Sequence, residues 1–309
     1  MKTANQQSVL KVLSYFMVFQ YPLLRKEIKN FLSQPCNDAQ LDEALHTLLA
    51  DGCIYCIDGY YCLQNDPLLV VNRKLGNSLC SKKMKQAKVI GRFLGLFPFV
   101  RAVYISGSLS KDFAKPSSDL DFFIVTAPNR LWTARNFMHL FRKVTFITGS
   151  QGNFCMNYYL SLQQPEISPK SYFTAMEFAT LKPAYILDDV QDCLLQNNKW
   201  VHDFFPNATP AMATAKKRKN FFFGFIEFML DMLGGDRLEE LFYRTTLARW
   251  EKKWQRAEYD VAECMKSVGR HVNTPANYPV NFPEKILERF EKIYNQSLHE
   301  YEEKLLAAQ

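Results

Sequence analysis

Apolar positions in the first third of the chain recur at helical spacing and then switch to a two-residue period. Val9, Leu10, Leu13 and Phe16 fall on one stripe of residues 7–20, which predicts an amphipathic helix. Tyr21-Pro22 punctuates it, and Leu23 to Leu32 reads as a short second helix. Asn37 or Asp38 can cap a third helix, with Leu41, Leu45, Leu48 and Leu49 apolar and Asp51-Gly52 ending it. Cys53 to Ile57, Asp58-Gly59 and Tyr60 to Leu63 carry the signal of a β-hairpin with Asp-Gly at the turn. Three helices and a two-stranded wing predict a winged helix–turn–helix over residues 1–68.

The pattern then changes. Residues 64–82, rich in Asn and Lys, read as a linker with a short helix. Lys83 to Phe97 reads as a helix feeding a strand over Val100 to Ser106, and Asp121 to Thr126 as a second strand. Leu131 to Phe141 is helical, with Val144 to Ile147 continuing the helix or forming a strand. After Gly149 to Gly152, Phe154 to Leu160 reads as a third strand. This alternation predicts a mixed-sheet α/β domain over residues 83–207. Beyond it, Phe221–Leu233, Arg237–Arg256 and Pro283–Leu306 show helical periodicity and no convincing strand, so 208–309 reads as a helical C-terminal region. The fold class is therefore α+β.

Composition narrows the class. A chain of 309 residues is too long for one small core and suits two or three domains. Hydrophobic residues make up 48%, which indicates a folded chain rather than a disordered one. Twenty-five Phe and 15 Tyr predict aromatic-rich cores or interfaces. Residues 1–8 are polar, and the apolar run after them is interrupted by Lys11, Ser14 and Gln20, so no secretory signal is read. Eight cysteines without such a signal favour free thiols and a cytoplasmic protein. Cys53-x-x-Cys56 has zinc spacing, but no second pair or well-spaced histidine accompanies it, and packing is the preferred role.

The most apolar run, Phe221 to Leu233, contains Glu227 and Asp231 and falls short of the ~20 residues that span a bilayer. It leaves room for a surface-lying helix, because Lys216-Lys-Arg-Lys219 directly precedes it; the simplest reading of those four is a solvated basic linker. The formal charge of +7 favours acidic partners such as a triphosphate, nucleic acid or anionic membrane.

The candidate chemistry lies between Val103 and Val125. An apolar run leads into Gly107-Ser108, a polar loop follows, and Asp119-Leu120-Asp121 opens the next apolar run. Carboxylates two residues apart share one face of a strand. Their mutual repulsion calls for a cation or a raised pKa. Gly107 lets backbone approach a ligand, and Ser108 offers a hydroxyl and an N–H to phosphate oxygens. Lys111 and Lys115, in the loop, can neutralise a triphosphate. Asp119 and Asp121 suit Mg²⁺ or Mn²⁺, hard cations that share oxygen ligands with phosphates. The plainer alternative is an ordinary loop between two buried strands; the full ordered pattern is rarer than Asp-x-Asp alone and favours the nucleotide site.

This stretch resembles the signature of the nucleotidyltransferase superfamily that includes DNA polymerase beta: an apolar strand, Gly-Ser, a spacer, then Asp-x-Asp at the start of the next strand. Here the pattern falls on Gly107, Ser108, Asp119 and Asp121. The resemblance implies a short mixed sheet and metal-dependent transfer of a nucleotidyl group from an NTP, such as ATP, to an acceptor. Asn129 to Arg135, Phe154 to Leu160 and Asn198 to Asn207 are similar to bacterial members with an Asp-x-Asp core, which extends the likeness over residues 85–207. Members with full activity usually carry a third carboxylate on a later strand. The central polar residue of the corresponding run here is Asn157, an amide that brings no charge and cannot act as a base. Glu177 offers another carboxylate; a solvated or capping role is preferred for it.

The expected function is nucleotidyl transfer to a small molecule, RNA or protein. The alternative is a nucleotide-binding regulatory or interaction module that has lost turnover, possible DNA association included. The polar face of the third helix carries Asp38, Asp42 and Glu43, while phosphate contacts require Lys or Arg. That face favours protein–protein or substrate-presenting use over sequence-specific DNA binding, although Arg25, Lys26 and Lys29 on the second helix can reach a backbone.

Overall fold

The computed structural model describes residues 3–147, 154–187, 189–209, 211, 221–266, 268–273 and 282–307. The Gly149–Gly152 and Lys216–Lys219 segments lie outside the described residues. Helix α1 (Ala4–Met17) starts at a capping box: the Thr3 side chain accepts from Gln6 N and the Gln6 side chain from Thr3 N. Its apolar stripe, Val9, Leu10, Leu13 and Phe16, is buried. A two-residue strand β1 (Leu23–Leu24) precedes α2 (Arg25–Phe31), where the sequence pattern suggests helix alone. Helix α3 (Asp38–Ala50) opens on a second capping box, Asn37 with Gln40. Strands β2 (Tyr55–Ile57) and β3 (Tyr60–Cys62) pair around Asp58-Gly59, both at positive φ, the geometry that a two-residue hairpin requires. The three strands form an antiparallel sheet of order β1-β3-β2.

Residues 64–82 correct the sequence reading. From Pro67 onward they belong to one 28-residue helix, α4 (Pro67–Leu94), capped by Asp66, whose side chain accepts from Leu68 N, with Pro67 in the first turn. The buried stripe of α4 contains Arg73 and two glycines, which breaks the apolar period. Arg73 is fully buried; it pairs with Glu27 at 2.6 Å, donates to Pro22 O at 3.0 Å and stacks 3.6 Å over the Tyr21 ring. At the other end, a Cβ on Gly91 would lie 2.5 Å from Ala184 Cβ, so only glycine allows this approach to the sheet. Helix α4 thus ties the N-terminal elements to the second sheet.

That sheet contains β4 (Val100–Ile105), β5 (Leu120–Thr126), β6 (Phe154–Ser161), β7 (Lys182–Ile186) and β8 (Val272–Asn273), in the order β7-β4-β5-β6-β8. Only β5 and β6 are parallel, so the sheet is mixed. The one-turn helix α5 (Gly107–Ser110) joins the β4–β5 connection, and α6 (Leu131–Ile147) follows β5, with Val144 to Ile147 continuing it. Helix α7 (Tyr172–Ala179) leads into β7; α8 (Val190–Asn197) and α9 (Val201–Phe204) follow. Strands β4 and β5 are almost wholly buried and form the centre of the core.

The remaining elements are helices α10 (Phe221–Met232), α11 (Gly235–Arg256), α12 (Val261–Lys266) and α13 (Phe282–Ala307), apart from β8, which the sequence pattern does not reveal. Glu239 of α11 caps α6, accepting from Trp132 N and Thr133 N at 2.8 Å and from the Thr133 hydroxyl at 2.7 Å. Helix α13 packs along α1 and α7: Phe290 stacks on Tyr172 at 5.0 Å, and buried Tyr301 donates to Gln6 Oε1 at 2.8 Å.

Candidate active site

The β4–β5 connection brings the two halves of the Gly-Ser…Asp-x-Asp pattern together. Ser106 N donates to Asp121 O at 2.9 Å, and Gly107 then turns the chain at φ +65°. A Cβ added to Gly107 would stand 2.6 Å from Asp121 Oδ2. Position 107 therefore needs glycine twice over, for its dihedral and for the carboxylate against it. Ser108 is half-buried on the wall of the adjoining cavity. Lys111 Nζ lies 3.3 Å from Gly107 O and forms a 2.8 Å ion pair with Glu177 of α7. Lys115 is exposed at the cavity edge, its N–H held by Ser118 Oγ at 2.9 Å.

The two aspartates have different surroundings. Asp119 is exposed, one residue before β5, while Asp121 is half-buried within the strand. Burial pushes the Asp121 carboxyl up to about 6; the charges of Asp119 and Glu177 act in the same direction, and the Asn157 hydrogen bond and Lys111 oppose them.

Asn157 reaches Asp121 through a bulge. Phe122 pairs with Met156 and Phe123 with Tyr158, so Asn157 is the extra residue of β6. Its Nδ2 donates to Asp121 Oδ1. The side chain that β6 sets beside Asp121 is thus an amide. Among the described residues, no group of three or more His, Cys, Asp or Glu side chains is placed to hold a metal ion. The donor set is instead two carboxylates and one amide. Burial is the main reason that the Asp121 pKa is raised, and the like charges of Asp119 and Glu177 add to it; a divalent cation would offset that repulsion, and carboxylate and amide oxygens are the hard donors that Mg²⁺ or Mn²⁺ prefers.

Gly107, Ser108, Lys111, Lys115, Asp121, Asn157 and Glu177 line one cavity of about 1440 Å³, whereas Asp119 stands outside its lining. Two walls are invisible to motif reading. One is the end of α1 and the turn that follows it, Phe16 to Tyr21, whose Tyr21 hydroxyl donates to Lys111 O. The other is a face of α13 with Arg289, Lys292 and Gln296. Nothing local marks these residues, because their place depends on how α13 packs on α1.

Residues 86–173 match the family model described as the nucleotidyltransferase domain. No curated protein and no solved structure matches the chain. The matched stretch contains the Gly-Ser turn, both aspartates and Asn157, while Glu177 lies beyond it. Over residues 86–173 this chain is thus similar to the nucleotidyltransferase domain.

Proposed function

We propose that this protein transfers a nucleotidyl group from an NTP to an acceptor held in the cavity between β5, α7 and α13. The close approach of Gly107 to Asp121 carries this reading, because it sets a phosphate-binding turn beside a carboxylate pair. Asp119 and Asp121 would hold Mg²⁺ or Mn²⁺, which supplies neutralisation of the phosphate charge. Ser108 and the N–H groups after Gly107 hold phosphate oxygens, and Lys115 adds charge at the cavity edge. Lys111 can exchange Glu177 for the triphosphate. The acceptor's hydroxyl or amine attacks the α-phosphorus; a P–O or P–N bond forms, the bond to the bridging oxygen breaks, and pyrophosphate leaves. Asp121, with its raised basicity, suits the acceptor's proton. The cavity volume exceeds what a nucleotide alone needs and leaves space for an acceptor.

The test is transfer of label from α-labelled NTPs, each supplied with Mg²⁺ or Mn²⁺ and a cell extract. Label should pass to an acceptor with the parent chain and not with Asp119→Asn/Asp121→Asn. A double variant that labels as well as the parent would overturn the assignment.

Asn157 favours one second reading: a module that binds nucleotide without turning it over. Calorimetric binding of Mg²⁺–NTP with no pyrophosphate release would select it. In either reading, the elements over residues 1–68 follow the order of a winged helix. Their acidic α3 face, where Asp38 and Asp42 already pair with Arg25, suits protein or substrate contact better than DNA. The domain limits 1–68, 83–207 and 208–309 belong to this proposal, as does a cytoplasmic location.

A further inference from the structure

The loop that carries Lys111 is held by the N-terminal part of the chain. Tyr21, in the turn after α1, is buried, and its hydroxyl donates to Lys111 O across 90 positions of sequence. Its ring packs edge-on against Phe113 at 5.6 Å. Burial pushes the Tyr21 phenol well above its ordinary pKa, so it stays a donor throughout the neutral range.

Tyr21 is itself fixed. The Arg73 guanidinium of α4 lies 3.6 Å over its ring. Every nitrogen of that guanidinium is engaged, with Asn77 at 2.8 Å, Pro22 O at 3.0 Å and Glu27 at 2.6 Å. Helix α4 also reaches the loop directly: Gly76 O accepts from Ala114 N at 3.2 Å, and a Cβ on Gly76 would collide with the Phe113 ring.

The backbone on both sides of the Tyr21 bond is bent to make it. Gln20, next to Tyr21, and Asp112, next to Lys111, have φ of +54° and +59°. Residues with a Cβ occupy this left-handed region only where their surroundings hold them there. Lys111 N and Phe113 N both donate to Ser108 O at 3.1 Å, so fixing the Lys111 peptide also fixes the Ser108 turn.

We propose that Tyr21 is a positioning residue for nucleotide binding: through Lys111 O it holds the loop after the Gly-Ser turn in the conformation that receives the triphosphate. This rests on the reading of that turn as the nucleotide site.

The experiment is calorimetric titration of the full chain with each of the four Mg²⁺–NTPs, together with hydrogen exchange of the Leu109–Ala114 amides. Tyr21→Phe removes only the hydroxyl. It should weaken binding of the tightest NTP about fivefold and speed exchange in the loop. In a Lys111→Met background the same change should weaken binding less than twofold, because both act through one loop. Thr133→Val, which removes a buried hydroxyl donor outside the cavity, should lower the melting temperature and bind NTP like the parent. A Tyr21→Phe variant that binds as tightly as the parent overturns the proposal alone, as does weaker binding with unchanged loop exchange, an undiminished effect in Lys111→Met, or an equal loss in Thr133→Val. A parent that binds none of the four removes the nucleotide reading and the proposal with it.

Discussion

Lys111 Nζ and Glu177 Oε1 are 2.8 Å apart on the wall of the candidate-site cavity, which joins the loop after the Gly-Ser turn to helix α7. The lysine is therefore engaged before any triphosphate arrives. Lys111→Met should raise the KM for NTP about tenfold, the worth of one charge-assisted contact to phosphate, with kcat much less affected. Glu177→Gln releases Lys111 and removes one charge that raises the Asp121 pKa. Its KM should fall, and steady-state kinetics over an NTP series measures both effects.

Asp121 links acid–base chemistry to stability. Its folded pKa of about 6 lies above the ordinary 3.8, so the folded chain holds this proton more tightly than the unfolded chain does. The resulting stabilisation is complete below about pH 4 and is lost as the pH rises through about 6. At pH 8 the ionised carboxylate costs the metal-free fold up to ~3 kcal/mol. Asp121→Asn should therefore melt higher than the parent at pH 8 and close to it at pH 4, although it abolishes transfer. Thermal melts at the two pH values decide this; equal shifts at both would remove the burial argument.

Transfer by the parent chain should increase with pH through an apparent pKa near 6 if Asp121 accepts the acceptor's proton or must be ionised to bind cation. Bound Mn²⁺ or Mg²⁺ lowers that pKa. The acid limb of kcat/KM should accordingly move to lower pH as metal concentration rises, and EDTA should abolish transfer.

Gly107→Ala sets a Cβ against the Asp121 carboxylate in a left-handed backbone conformation. The dihedral alone costs about 1–2 kcal/mol, and the contact displaces the carboxylate. The variant should fold with a reduced melting temperature and lose most transfer activity. Gly59→Ala has the same dihedral penalty with open space around the new Cβ, so it should lose stability and keep activity.

Asn157→Asp restores a third carboxylate beside Asp121. Three acidic groups repel more strongly without metal and attract a divalent cation more strongly with it. The variant should be less stable than the parent in EDTA and gain more from Mn²⁺ in thermal melts. If this chain is a binding module, the same change is the one most expected to raise its pyrophosphate release.

Much of this was legible in the sequence because the determinants are local. The Gly107-Ser108 turn, the burial of β4 and β5 and the Asp58-Gly59 hairpin rest on residue type and short-range period. Strand β7 does not read as a strand because Lys182-Pro-Ala-Tyr-Ile186 contains a proline; the sheet accepts it because β7 is an edge strand. The start of α4 is hidden although Asp66-Pro67 is a good helix opening, since a stripe containing Arg73, Gly76 and Gly91 does not read as apolar. The aim of Asn157 at Asp121 depends on a bulge, and the α13 wall on a contact between residues nearly 300 positions apart, Gln6 and Tyr301. Neither leaves a trace at short range.

That last contact bears on how the protein is made. On a ribosome, the turn and both aspartates emerge well before α13, so a nascent chain carries the candidate site with one side still open to solvent. The pocket closes only after α13 has been synthesised and has docked on α1, which delays enclosure of the candidate site until that helix is translated.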